Sequence, residues 1–347
     1  MEKRIRIFLS ALLLLCFVCI LPGCGLFDAF AGKVPTTYDR AELYTPGDAE
    51  FEGKVDTFYL YWLDGSVTIK THKEDTVVIR ETANRDTEDN FRLHWRYYDA
   101  GEYGNVLTIY YSASGNFDYG DLKKDITVYI PENEDMNLSV TSQTASVDVD
   151  ISEFDNMLEE LSIVSYSGKV SAKVDSADQV RISGQNDEGI PEEAREFSFQ
   201  ARGVVYDLGI SASYAKVDVV AAAVRNGEVG TVFADLDLAV EETKELTIQN
   251  SAGKITATVL EFETLDIETF DNTCRLTLSP DASFALTMKE KDRFNHKVTP
   301  KTVSVEFDDV TRDGMCYTVG TGEKTITVAT DSDLTIVPLI PEETPGA

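Results

Sequence analysis

Histidine occurs only three times in 347 residues, at His72, His94 and His296, and no two stand in a metal-binding spacing such as His-Glu-x-x-His. Zinc-dependent hydrolysis is therefore not expected. No Gly-x-Ser-x-Gly elbow marks a nucleophile, and no Gly-x-x-x-x-Gly-Lys loop is present to cradle nucleotide phosphates. The Asp-rich turns at Asp271-Asn272 and Asp331-Ser332-Asp333 match neither calcium-loop pattern, so we expect no metal site and no cofactor. Basic residues are also short: 31 Lys and Arg stand against 61 Asp and Glu, a formal charge of −30. Such a surface repels nucleic acid and anionic lipid and attracts cationic peptides.

Long apolar runs are missing except at the start. Lys3, Arg4 and Arg6 precede an apolar stretch, Ile7 through Leu21, broken only by Ser10 and followed by Leu21-Pro22-Gly23-Cys24. That is the layout of a secretory signal over residues 1–23, too short and too soon interrupted to span a bilayer. The Leu-x-Gly-Cys tetrad resembles the lipobox of bacterial lipoproteins. The resemblance implies cleavage before Cys24, a diacylglyceryl group on its thiol, and an extracytoplasmic domain held on the membrane at the cell surface or periplasmic face. Removing Glu2, Lys3, Arg4 and Arg6 with the signal takes away a net charge of +2, so −30 becomes −32. Cys16 and Cys19 leave as well, and only Cys274 and Cys316 remain for the oxidising exterior. Residues 24–48, with Gly25, Gly32, Pro35, Pro46 and Gly47 among few large aliphatics, read as a tether.

The mature part carries a period. Rows beginning at Leu208, Gly227, Leu246 and Leu265 stand nineteen residues apart and their columns agree. The third column holds Ile210, Val229, Ile248 and Ile267. The eighth holds Ala215, Ala234, Gly253 and Asn272, and the tenth Val217, Leu236, Ile255 and Cys274. Within each row the alternation is period two, which makes strands with one buried face. Earlier rows fit from Phe58, Leu138 and Leu161, and partial rows begin at Val77, Val180 and Phe284. A row this short cannot bury its apolar side alone, whereas stacked rows form continuous ladders. The sequence thus predicts an all-β, single-stranded type of β-solenoid over 49–337, with a Pro-rich tail over 338–347. The small eighth column predicts a tight corner of positive φ.

Antiparallel hairpins interrupt the period. Phe91–Tyr98 and Val106–Tyr111, joined through Gly101 and Gly104, read as one hairpin, and 289–323 as another excursion. Both serve as inserts or caps, since an open terminal row is an aggregation edge. The first hairpin concentrates aromatic residues, and on a strand its rings must point to both faces. Trp95, Tyr97, Tyr98, Tyr103 and Tyr110 are the candidate binding residues. The outward column that contains Asp148, Asp218 and Asp237 is the best place for paired catalytic carboxylates, but Ser171, Thr256 and Arg275 share it, so no acid cluster forms.

Asp125-Ile126-Thr127-Val128-Tyr129-Ile130-Pro131, Leu161-Ser162-Ile163 leading to Ser167-Gly168-Lys169-Val170, and Leu246-Thr247-Ile248 leading to Ser251-Ala252-Gly253-Lys254-Ile255 resemble the putative-adhesin family of bacterial β-solenoid surface lipoproteins. The closing Tyr317, Gly320-Thr321-Gly322 and Ile326-Thr327-Val328 are similar to that family's terminal row. The resemblance covers most of 51–337. It implies the solenoid and a surface location, and supplies no catalytic residues. The expectation is a membrane-anchored, non-catalytic binding or display module for an envelope glycan or protein. An envelope stress-sensing protein that sequesters cationic peptides is the alternative, and a carbohydrate-active enzyme on a β-helix the third reading.

Overall fold

The computed structural model describes residues 34–340 apart from 102–103, 117, 133–135, 154–156 and 186–195. The signal segment, Cys24, Tyr103 and residues 341–347 lie outside the described residues. Nearly every described element is a strand, as the alternation requires, and among the described residues no helix is long and apolar enough to cross a membrane.

The strands form ten stacked rows, each with one strand in a first sheet and one in a second, and each pairing in parallel with its equivalent in the next row. In spatial order the first four rows are Asn105–Tyr110 with Lys124–Pro131, Thr57–Trp62 with Gly65–His72, Asn137–Ser142 with Ser146–Ile151, and Leu158–Ser165 with Val170–Val174. Rows 5 to 9 begin at Ala177 and run through the long strands Glu196–Ser213, Lys216–Val232, Leu236–Ser251 and Ile255–Phe270 to Cys274–Leu278. Each long strand finishes in the second sheet and goes on into the first. Row 10 is Lys324–Thr330 with Asp333–Pro338.

The nineteen-residue register is real: Leu246 lies beside Leu265 and Gly227, and Ile248 beside Ile267 and Val229. These inward ladders, Leu265, Ile248, Ile267, Leu276 and Val259 among them, are fully buried and form one continuous core with the other rows. Burying each such side chain stabilises by about 1.5–3 kcal/mol. Cys274 fills an inward slot between Ile255 and Leu334, unpaired and with its thiol pushed up to about 12 by burial, while unpaired Cys316 is exposed. It packs as a small hydrophobe.

Three expectations need correction. The first concerns the corner. Positive φ falls on the seventh column, at Tyr214, Phe233, Ala252 and Asp271, with φ of 52, 53, 61 and 62°. The eighth is small for another reason: a Cβ on Gly168 would stand 1.9 Å from the Ala145 carbonyl oxygen, and one on Gly253 1.8 Å from that of Ala234. Rows touch backbone to backbone there. Secondly, the partial row expected at Val77 is antiparallel. Thr76–Ala83 turns back against Lys124–Pro131 and Ala49–Glu52, because the chain leaves row 2 here to build the cap. Thirdly, of the tether expected over 24–48, the described part from Val34 onward is no tether. From there the chain is docked, with a 3-10 turn at Ala41–Leu43 and Thr45–Pro46 paired to the cap strand His94–Asp99.

Both ends are built out of sequence order. Row 1 comes later in the chain than row 2, which it flanks on one side while row 3 flanks the other. At the far end, row 10 slots between row 9 and the earlier strand Phe284–Met288. Beyond that strand, Cys316–Val319 and Val310–Asp313 close the sheet in antiparallel fashion.

Candidate functional site

Alternation on the cap strand His94–Asp99 sorts its rings. Trp95 and Tyr97 point inward, where both pack on Phe51, at ring centroids 5.5 Å and 5.0 Å away. The Trp95 indole N–H is buried and finds no acceptor among the described residues. These two residues of the expected binding set therefore close the end of the core. Arg96 and Tyr98 point outward, with the guanidinium 4.1 Å above the tyrosine ring.

The outer face of rows 1 and 2 adds Tyr59, Tyr61 and Tyr110, with Tyr61 beside Tyr110 and Tyr59 beside Thr108 in the parallel ladder. Tyr110 stacks on Tyr61 at 4.8 Å and on Tyr38 at 3.9 Å, and its edge meets Tyr44 at 5.6 Å. Tyr38 also donates its backbone N–H to Ser114 and its hydroxyl to the Ser112 carbonyl. Sequence reasoning missed Tyr38 and Tyr44, which dock the N-terminal segment on this face. Burial pushes the Tyr38 and Tyr61 hydroxyls up to about 12 and Tyr110 higher still. Tyr44, Tyr59 and Tyr98 keep part of their surface open, and Leu43 beside them is 47% exposed.

Beneath this face sits an ion pair. Lys124 is fully buried, and its ammonium lies 2.6 Å from Glu81, donates to the Phe91 and Tyr111 carbonyls, and stands over the Tyr111 ring at 4.1 Å. Desolvation brings its pKa down to about 8, opposed by Glu81. The Trp62 indole donates to the Lys124 carbonyl, so the pair ties row 2 to row 1. Its surroundings are all cap and core, which makes it a structural fixture.

Further along the same sheet the outer face is covered again. The segment after Phe284–Met288 folds back over rows 8 and 9, where Lys289 reaches Asp266 at 2.6 Å and Arg293 reaches both Gln249 and the buried Glu268. Desolvation raises the Glu268 carboxyl. Between the two covers, rows 5 to 7 and the start of row 8 are bare. The carboxylate column of the second sheet is confirmed by register, with Asp148 beside Ser171 and Asp218, Asp237, Thr256 and Arg275 in succession. Lys216 bridges Asp218 and Asp237 at 3.1 and 3.4 Å. Among the described residues no group of three or more His, Cys, Asp or Glu is placed to hold a metal ion.

No family model matches the chain, and no curated protein matches it. Solved structures similar to it include a putative cell adhesion protein from Clostridium sporogenes, at 11% identity and TM-score 0.26, covering 85% of this chain and 100% of that one. Another is a putative adhesin from Bacteroides fragilis, at 11% identity and TM-score 0.33, covering 84% of this chain and 96% of that one. At these scores the likeness carries no inference about what this chain binds.

Proposed function

We propose that the protein is a lipid-anchored, non-catalytic binding module of the cell envelope, exported by its first 23 residues and held at Cys24, whose outer tyrosine face meets an adhesion ligand. The observation that supports it is the placement of Tyr44, Tyr59 and Tyr98 with Arg96 on the solvent side of a sheet whose other side already holds a complete core. Half-open tyrosines beside an arginine offer stacking area and hydrogen-bonding tips while losing little conformational entropy. Nine residues separate Cys24 from Val34, and the ten steps between them reach at most about 35 Å when fully extended, so this face works close to the bilayer.

Glycan-array screening of the soluble domain, followed by calorimetry, tests the reading. Tyr59→Ala and Tyr98→Ala should each lower affinity by about 1–2 kcal/mol and leave the unfolding midpoint in place. Trp95→Ala should do the reverse, and Cys24→Ala should release the full-length protein from membranes into an alkaline wash. Undiminished binding by both tyrosine variants would remove this face from consideration. A second reading, sequestration of cationic peptides, is favoured by the mature charge of −32. It requires binding that collapses as salt rises and ignores Tyr98→Ala.

A further inference from the structure

The bare stretch of the first sheet between its two covers holds a recess of about 300 Å³ on the outer side of rows 5 to 8, within the range that takes small ligands. Two outward-facing glycines make it. Gly209 in row 6 leaves room for the Arg181 side chain, which lies across it and donates to the Val180 and Asp207 carbonyls; a Cβ there would meet Arg181 at 3.0 Å. Gly230 in row 7 has no such duty. A Cβ at Gly230 would find only the Ile210 carbonyl oxygen, at 3.9 Å, and its φ is ordinary. Glycine weakens a strand interior, and where neither packing nor backbone requires it, it marks close approach by something else.

The rim is polar and its charge is lopsided. Asp207, Glu228 and Glu245 line the recess together with Asn226, whose amide donates to Asp207, and the hydroxyls of Ser211 and Thr247. Among the described residues, Glu228 and Glu245 make no ion pair, and Arg181 is held by backbone carbonyls. The three carboxylates sit on three successive rows, themselves about 4.8 Å apart, with Asp207 and Glu245 on either side of Asn226 in one column and Glu228 two residues along the strand, beside Gly209 and Thr247. Main-chain pairing with a peptide is ruled out, because the ladder on both sides of rows 6 and 7 is already complete. A ligand here meets the Ser211 and Thr247 hydroxyls, an amide and uncompensated negative charge, which suit a polar, cationic molecule.

We infer that this recess binds a short saccharide carrying free amino groups, with Glu228 and Glu245 on the ammonium groups and Asp207, Asn226, Ser211 and Thr247 on the hydroxyls. The site is independent of the tyrosine face, and each can fail alone.

Calorimetry on the soluble domain with the glucosamine trimer tests it, with the N-acetylglucosamine trimer, the galacturonate trimer and spermidine as comparisons. The glucosamine trimer should bind at least tenfold more tightly than either other saccharide. Gly230→Leu, which fills the recess with a residue that suits a strand, should abolish binding with the unfolding midpoint held or raised. Gly230→Ala tells the same story if the leucine variant misfolds, with a partial loss. Glu228→Gln should remove most of the preference for the amine over the acetamide. Binding unaffected by Gly230→Ala and Glu228→Gln, equal affinity for galacturonate, or full competition by spermidine would each overturn the proposal.

Discussion

At the scale of the residue, the corner asks two different things of neighbouring positions. Ala252 carries a left-handed backbone that a side chain tolerates badly, while Gly253 faces the carbonyl of Ala234. Ala252→Gly should therefore be neutral or stabilising by up to about 1 kcal/mol. Gly253→Ala should instead destabilise, by about 2 kcal/mol or more, because rigid backbone stands where the methyl would go; equal effects in urea titrations would refute the assignment. Phe233 is a different case, since its ring stacks on Tyr214 at 5.0 Å and a glycine would lose that contact. Lys124 makes the other sharp demand. Lys124→Met leaves the buried Glu81 only the Arg92 guanidinium, 3.8 Å away, as counter-charge and should lower stability by up to about 3 kcal/mol, whereas Lys124→Met combined with Glu81→Leu should recover part of it. Chemical denaturation of the single and double variants measures the difference.

At the scale of the strand, the phase of the ladders is open to a direct test. Ile248 is fully buried and Thr247 faces out, so Ile248→Asp should prevent folding or nearly so while Thr247→Asp stays within about 0.5 kcal/mol of the parent. Such inward columns were legible in the sequence because Ile, Leu and Val recur at positions that a period of two and a spacing of nineteen both select. The fifth column escaped notice because it is polar: Ser142, Ser165, Thr231, Asn250, Thr269 and Thr330 are inward and buried, and most bond at the corner. Asn250 donates to Thr231 and to the Ala234 carbonyl and accepts from Gly253. A hydroxyl or amide repeated in an inward phase was the signal available. Of the aromatic site, the ring-bearing strand could be read, and so could its two faces. Which face was core could not, because Phe51 and Tyr38, the residues that decide it, reach the hairpin from other parts of the chain.

At the scale of the molecule, the buried and half-buried tyrosines predict an alkaline limit. Tyr38 and Tyr61 are pushed up to about 12, and Tyr110 and Tyr111 higher, against about 10 in an unfolded chain. Between those values the unfolded state holds fewer protons, so stability falls as pH rises. Below about 10 the contribution is complete. Urea midpoints should thus drop from pH 10 to 12, and phenolate absorbance from these rings should appear together with unfolding. Normal titration near 10 in an intact domain would contradict their burial.

The out-of-order ends give the molecule a mechanical character. Load applied to the N-terminal segment passes through its docked strands and arrives at row 2. In a stack whose end row came first in the chain, that row would have one neighbour and would peel off, with hydrogen bonds parting in turn. Here row 2 is gripped by row 1 on one side and row 3 on the other, in both sheets. It can leave only by dragging against four ladders together, so the solenoid is hardest to unravel from the side on which it is pulled.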